Sequence, residues 1–279
     1  MSDATRGQVS GSAAEIYEAF FLPALFAQWP EHVLDAADVR PGDHVLDVGT
    51  GTGVLARAAS QRVGGDGEVI GVDPNQGMLE VARRSAEPVT WIEGTAEALP
   101  FESAQFHRVV SQFALMFFTD RRRAVGEMAR VVRPGGTVAI AVWASLDATP
   151  GYAGMVELLD RQLGRDAGDA LRAPYAFGDA SMMEDLLADS FADVRVEQRD
   201  GVARFESIDD WVRTDIRGWT LAGSLDDEQL AELQRAARSA LAEFVDTDGH
   251  VAFLAPALIA TARRARGSGG NSAAAMQGS

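Results

Sequence analysis

The sequence predicts an α/β fold built on a doubly wound, mostly parallel sheet. Three observations carry this. Across residues 43–143, short apolar runs rich in Val and Ile alternate with longer amphipathic runs. The first apolar run ends in a bare glycine turn, Val45-Leu-Asp-Val-Gly-Thr-Gly-Thr-Gly53, and the second ends on an acid, Asp73, followed by Pro74. Alternation of this kind makes βα units, whose strands lie parallel and whose helices cover both faces of the sheet.

The elements follow in order. HVLDVG (44–49) is a short apolar strand, and VLARAASQRV (54–63) is a helix stopped by Gly64-Gly65. EVIGVD (68–73) is a strand, NQGMLEVARRSA (75–86) a helix and VTWIEG (89–94) a strand. FHRVVSQF (106–113) is a strand, RRRAVGEMARVV (121–132) a helix, and TVAIAVW (137–143) a strand entered through Pro134-Gly135-Gly136. Beyond this the pattern is looser. SMMEDLLADS (181–190) reads as a helix and FADVRVEQRD (191–200) as a strand. Residues 208–219 and 226–245 read as long amphipathic helices, inserted before a last strand, ALIATARR (257–264). The aromatic stretch 13–37 reads as helical, broken at Pro23 and Pro30. The organisation expected is an N-terminal helical lid (1–40), a core (41–145), a helical cap (146–180 and 203–252), remaining core elements (181–202 and 253–266) and a disordered tail (267–279).

Composition narrows the function. The formal net charge is −16, and all 25 basic residues are arginine. So acidic a chain repels polyphosphate, which argues against a nucleic-acid partner. Without lysine there is no lysine Schiff base. Without cysteine there are no disulfides, thiolate zinc sites or cysteine nucleophiles. The longest apolar runs fall short of a membrane span and the N-terminus lacks a signal-peptide pattern, so a cytoplasmic location is expected. No close His pair or clustered acid set suggests a metal site.

A glycine turn between the first strand and its helix lets backbone N–H groups approach a ligand closely. The Gly49-Thr50-Gly51-Thr52-Gly53 spacing differs from the dinucleotide G-x-G-x-x-G. An acid ending the second strand, as Asp73 does, can accept hydrogen bonds from two ribose hydroxyls. Together with GTAEALPF (94–101), VVSQFALMFF (109–118) and EMARVVRPGGTVAIAVW (127–143), this order resembles the class I S-adenosylmethionine-dependent methyltransferases, within them the ubiquinone/menaquinone C-methyltransferase-like branch. The resemblance covers roughly residues 10–265 and is closest in 43–143.

That resemblance implies a seven-stranded sheet with an antiparallel last strand. It also implies S-adenosylmethionine as cofactor, with S-adenosylhomocysteine as product. Gly49, Thr50, Gly51 and Gly53 would shape the methionine side, with Asp47 supporting the turn. Asp73 would hold the ribose, Met78, Thr95 and Ala96 would edge the adenine, and Ser111 and Gln112 would lie beneath the methionine end. Thr95 stands where the family often has Asp, and Glu97 could compensate. Tyr17 and Phe21 of the lid, with Phe113, Met116 and Phe117 after the fourth strand, would line an acceptor pocket. His44 and His107 open strands, so they fall at the edge opposite the ligand crevice. His250 precedes the last strand and is the one histidine with a topological route to the site, as a candidate base. The activity expected is methyl transfer to a small apolar or aromatic acceptor at carbon, oxygen or nitrogen. A non-methylating reaction of an S-adenosylmethionine-binding protein and an NAD-dependent oxidoreductase are the alternatives, and a homodimer is left open.

Overall fold

Val- and Ile-rich runs buried on both faces are satisfied as neighbouring strands in one covered sheet. A computed structural model, describing residues 11–218 and 225–266, has this arrangement. Helix α1 (Gly11–Ile16) continues into a π-helical segment (Tyr17–Phe26) and is followed by α2 (Pro30–Ala36). The core comprises β1 (His44–Val48), α3 (Val54–Val63), β2 (Glu68–Asp73), α4 (Gln76–Ala82), β3 (Val89–Glu93), β4 (Phe106–Gln112), α5 (Arg121–Val131) and β5 (Val132–Trp143). Then come α6 (Pro150–Leu163), α7 (Arg165–Arg172), α8 (Ala180–Ala188), β6 (Ala192–Arg199), β7 (Val202–Phe205), α9 (Ile208–Gly218), α10 (Asp227–Ala240), β8 (Val251–Leu254) and β9 (Ala257–Arg263).

The large sheet has seven strands in the order β3-β2-β1-β4-β5-β9-β6. The pairs linking β1 to β5 are parallel, and β9 runs antiparallel to both its neighbours. The chain winds outward through β2 and β3, then returns to place β4 on the other side of β1. The switch point between β1 and β4 opens a crevice at the carboxyl ends of the strands, where such sheets bind ligands. Core strands and helices agree with the pattern reading to within a few residues.

Two features differ from the sequence expectation. Pro23 does not break the lid helix. The segment around it is π-helical, with Ala27 N–H donating to Leu22 O at 2.8 Å. The wider turn accommodates a ring that would crowd an α-helical carbonyl, and it spans the missing N–H. Pro30, by contrast, opens α2, where its lost donor costs nothing. The second difference is in the cap, which is not purely helical: β7 and β8 pair as a two-stranded antiparallel sheet. The strand after His250 is therefore β8 in the cap, not β9. With four residues alternating buried and exposed, β8 gives too short a pattern to stand out. Residues 267–279 of the expected tail and 1–10 of the expected lid lie outside the described residues.

The three turn glycines all have positive φ, but for different reasons. A Cβ on Gly49 (φ 73°) would lie 2.3 Å from Ala114 Cβ, and one on Gly53 (φ 91°) 2.4 Å from the Trp91 ring. Both are places where elements must meet closely. A Cβ on Gly51 (φ 55°) would meet nothing within 4 Å, because that position faces open space. Gly49→Ala is therefore expected to lower stability by about 2 kcal/mol or more through overpacking and strain, read as a reduced denaturant midpoint. Gly51→Ala should lower it by less.

Candidate cofactor site

The crevice is a cleft of about 780 Å³, its open mouth included. Its floor is the glycine turn: Asp47, Gly49, Thr50, Gly51 and Thr52, with Val54 and Leu55 from the start of α3. Asp73 and Met78 form one side, Gln112, Phe113, Ala114 and Phe117 the other. Tyr17 and Phe26 of the lid and Gly218 at the end of α9 close the top.

Asp73 ends β2 with both carboxylate oxygens engaged. Oδ2 accepts from Gly51 N–H and Oδ1 from Asn75 N–H, each at 2.8 Å. Burial pushes its pKa up to about 6 against the pull of those two N–H groups. Each oxygen keeps a second lone pair for a ligand hydroxyl. Asp47 ends β1. Its Oδ2 accepts from Thr50 Oγ1 at 2.6 Å, while its buried Oδ1 has no hydrogen-bond partner. Burial, with the nearby Asp73 charge, outweighs the Thr50 hydroxyl and the nearby Ala56 N–H and raises its pKa to about 7. Thr52 Oγ1 and Gln112 Oε1 are also buried without partners. Three cavity-lining residues thus carry acceptor-capable atoms that the protein leaves unsatisfied, in a wall with two carboxylates and, among the described residues, no Arg or His. Buried acceptors in that state call for donors from a ligand.

The aromatic side is built by an unusual backbone. Phe113 adopts φ 54°, left-handed for a residue with a side chain, and its N–H donates to Ala141 O at 2.8 Å. Such geometry is costly and clusters where a site requires it. It turns the chain out of β4, stacks Phe113 on Trp143 at 3.9 Å and brings Ala114 against Gly49. The turn 115–117 that carries Phe117 is held by Arg121, whose guanidinium donates to Leu115 O and Met116 O. Tyr17 stacks on Phe26 at 5.1 Å, and burial, then Glu18 and Asp73, holds its phenol protonated well above the usual range. Arg57 ties lid to floor, donating to Thr52 O at 2.6 Å and to Glu18 Oε1 at 3.0 Å.

Of the residues singled out from sequence, Asp47, Gly49, Thr50, Gly51, Asp73, Met78, Gln112, Tyr17, Phe113 and Phe117 meet at this cleft. The others fall elsewhere. Gly53 packs under Trp91. Ser111 Oγ donates to Val48 O at 2.7 Å, tying β4 to β1. Phe21 and Met116 lie in the core behind the lining, Ala96 is buried, and Thr95 is exposed. Glu97 accepts from Thr119 and Asp120 N–H at the start of α5, so it does not reach the cleft in place of a carboxylate at 95. His44 and His107 pair with each other at the far edge, His44 N–H donating to His107 Nδ1 at 2.8 Å. His250 is exposed beside Glu206 and Asp246 in a second cleft, formed by Phe20, Pro23, Arg204 and their neighbours on the other side of the lid. It does not line the crevice. Thr52, Val54, Leu55, Ala114 and Gly218 were not foreseen. Thr52, Val54 and Leu55 adjoin the glycine turn, so proximity in sequence was the available signal. Gly218 had none. Among the described residues no three His, Cys, Asp or Glu side chains are grouped to hold a metal, and no helix is long and apolar enough to cross a membrane.

Residues 45–136 match the family of methyltransferase domains. Over that stretch the core of the chain resembles a methyltransferase domain. The chain is similar to the ubiquinone/menaquinone biosynthesis C-methyltransferase of Legionella pneumophila (strain Corby), 34% identical over 138 residues, 47% of this chain and 54% of that protein. A counterpart in Bordetella parapertussis is 42% identical over 116 residues, 40% of this chain and 45% of that one. The chain thus spans about half the length of the curated relatives it matches. Among solved structures, Bacillus subtilis YcgJ shares the fold at TM-score 0.56 and 20% identity, over 85% of this chain and 98% of that one. Haemonchus contortus phosphoethanolamine N-methyltransferase 2, in complex with S-adenosyl-L-methionine, does so at 0.58 and 19%, over 91% and 57%. In this domain the unsatisfied acceptors and the carboxylate-lined wall fit S-adenosylmethionine, a cation with an ammonium group and two ribose hydroxyls.

The two carboxyls set opposite pH dependences for folding and binding. In the ligand-free fold, Asp47 and Asp73 keep their protons at pH values where an unfolded aspartate has lost its own. Their contribution to stability is full below about pH 4 and is lost as pH rises through about 6 and 7. Thermal unfolding of the ligand-free protein should show Tm falling over that window, with a shallower fall in Asp47→Asn. Ribose hydroxyls need the ionised Asp73, so affinity for S-adenosylmethionine should rise over the same window, measured by calorimetry.

Proposed function

We propose that this protein transfers the methyl group of S-adenosylmethionine to a small, apolar or aromatic acceptor, leaving S-adenosylhomocysteine. The observation that supports this best is the charge of the cleft: two buried carboxylates, three bare acceptors and, among the described residues, no cationic side chain. Such a wall suits a sulfonium with an ammonium group and disfavours the pyrophosphate of a dinucleotide. The sulfonium supplies an activated methyl group that leaves by in-line displacement.

The protein's part is to bind, orient and exclude water. Asp73 holds the ribose hydroxyls and is itself fixed by Gly51 and Asn75. Asp47 Oδ1 and Gln112 Oε1 are the acceptors for the ammonium end. Gly51 leaves room for the backbone to approach the ligand. Tyr17, Phe26, Phe113 and Phe117 wall the acceptor side, and their apolar rings favour a lipophilic or aromatic acceptor. Holding acceptor and methyl group in line is worth about 7–11 kcal/mol in favourable cases. Among the described residues no histidine lines the cleft, so the reaction proposed uses none as a base.

Asp73→Ala should weaken S-adenosylmethionine binding by about 1.5–3 kcal/mol, roughly ten- to a hundred-fold, seen by calorimetry on a variant whose circular dichroism is unchanged. Unaltered affinity would remove the cofactor assignment. Phe117→Ala should slow formation of S-adenosylhomocysteine far more than it weakens cofactor binding, and His250→Ala should leave the rate nearly unchanged. A Phe117→Ala variant impaired only through cofactor affinity would show that the ring does not wall the acceptor.

A further inference from the structure

The large sheet ends at β6, which pairs with β9 on one side and, among the described residues, with no strand on the other. β6 is eight residues long, ADVRVEQR, and most of its side chains are exposed. Its outer edge presents backbone donors and acceptors to a further strand. Sheet edges are commonly guarded by shortness, Pro, bulges or charge. β6 is neither short nor interrupted by Pro, and its one bulge, with Asp193 at φ 54°, lies at its start. Its charges alternate in sign. Asp193, Arg195, Glu197 and Arg199 occupy every second position. Asp193 and Arg195 line one groove on the sheet face, and Arg195, Glu197 and Arg199 line the next, so all four stand on the same side.

Such a strand meets its own copy differently in each register. Across a two-fold axis normal to the sheet, facing residues of an antiparallel pair lie on one face, so the axis passes through a residue. With the axis at Val196, Arg195 faces the partner's Glu197 and Asp193 faces the partner's Arg199. The reverse pairs follow by symmetry, and every facing pair is opposite in sign. An axis at Arg195 or Glu197 sets that residue against itself and brings like charges together throughout. Opposite charges across strands stabilise the pairing and like charges oppose it. The bulge ends the regular ladder, so the Arg195–Glu197 pairs carry the register and the Asp193–Arg199 pairs lie at its margins. Within one chain Glu197 already accepts from Arg199 at 2.6 Å, so each Glu197 would come to lie between two guanidiniums. Val194 and Val196, half-buried against the core on the other face, would meet apolar side chains at the axis. The strand carries equal numbers of acids and arginines, a neutral stretch in a chain of net charge −16.

We propose that β6 is a dimerisation edge, on which a second copy of this chain lays its own β6 antiparallel across Val196, joining the two sheets into one. β9 runs antiparallel to both β5 and β6, so β6 is parallel to the core strands. The two cofactor clefts would therefore open at opposite ends of the joined sheet and leave each other clear. One strand and its flanking side chains make an interface at the small end of the range, below about 1,200 Å², so the association is weak and depends on register.

Sedimentation velocity of the full chain tests this. The unaltered protein should be monomeric at about 1 μM and largely dimeric at about 100 μM, as befits a small interface. Arg195→Glu and Glu197→Arg should each raise the dissociation constant at least tenfold, because each sets like charges face to face. A chain carrying both changes should dimerise like the unaltered protein. An equimolar mixture of the two single variants should dimerise as well, since each supplies the sign the other lacks. Circular dichroism checks that the variants fold. Arg195→Ala, expected to weaken the dimer about threefold, serves if a reversal disturbs folding. A monomer at 100 μM would overturn the proposal. So would a dimer that survives both reversals, one that the combined change does not restore, or, should a reversal not fold, one indifferent to Arg195→Ala.

Discussion

The site depends on one hydrogen bond, from Gly51 N–H to the Asp73 carboxylate at 2.8 Å. It joins the turn after β1 to the end of β2, two points far apart in the chain that the sheet brings side by side. Without it the glycine turn, free to adopt many backbone conformations, would have little to hold it in one. Gly49 and Thr50 N–H donating to Val72 O fix the same turn from behind. The bond also limits Asp73: a carboxylate committed to two backbone donors cannot rotate, so its remaining lone pairs point in directions set by the fold. Rigidity on this side of the cleft is thus a property of the sheet.

The lid is attached to that rigid floor by polar contacts and by rings. Arg57 lies on α3, directly after the turn, and holds Thr52 O and Glu18 together. Gln112 at the end of β4 reaches Phe26 O at 3.4 Å, and Gln28 exchanges hydrogen bonds with the backbone of Val202 in the small sheet. The second link explains why a two-stranded sheet in the cap matters to a cleft it does not line. It fixes the back of the lid, while the stacked rings of Tyr17 and Phe26 fix the front. The π-helical widening around Pro23 falls between these attachments, in the segment that lines both clefts.

The core was legible because its signals are local and redundant. Strand and helix periods, Gly64 after α3, Asp73 at the end of β2 and the Pro134-Gly135-Gly136 turn each point to the same winding. The cofactor floor was legible for the same reason, since consecutive residues of one turn supply most of it. What sequence could not give was orientation. Ser111 and Gln112 are neighbours on a strand, so their side chains point to opposite faces; one ties β4 to β1 and the other reaches the cleft. Gly53 belongs to the motif but answers to Trp91, a contact between elements that no spacing reveals. His250 was placed by counting strands, and an unrecognised four-residue strand moved it to another cleft. The left-handed Phe113 had no sequence mark at all, because nothing in its side chain favours that conformation.

The polar and the aromatic residues of the cleft constrain a ligand differently. At the cofactor end, Asp47, Thr52 and Gln112 leave atoms bare beside a turn that is otherwise held by many bonds. Beside them lie the rings of Tyr17, Phe26, Phe113 and Phe117, with few polar groups to bind a ligand strongly on their own. Apolar rings make a site permissive about shape, because dispersion contacts change little with small displacements. Directional groups on the cofactor floor are then what fix a methyl group in line with a reacting atom, where a displacement of about 1 Å can cost a hundredfold in rate.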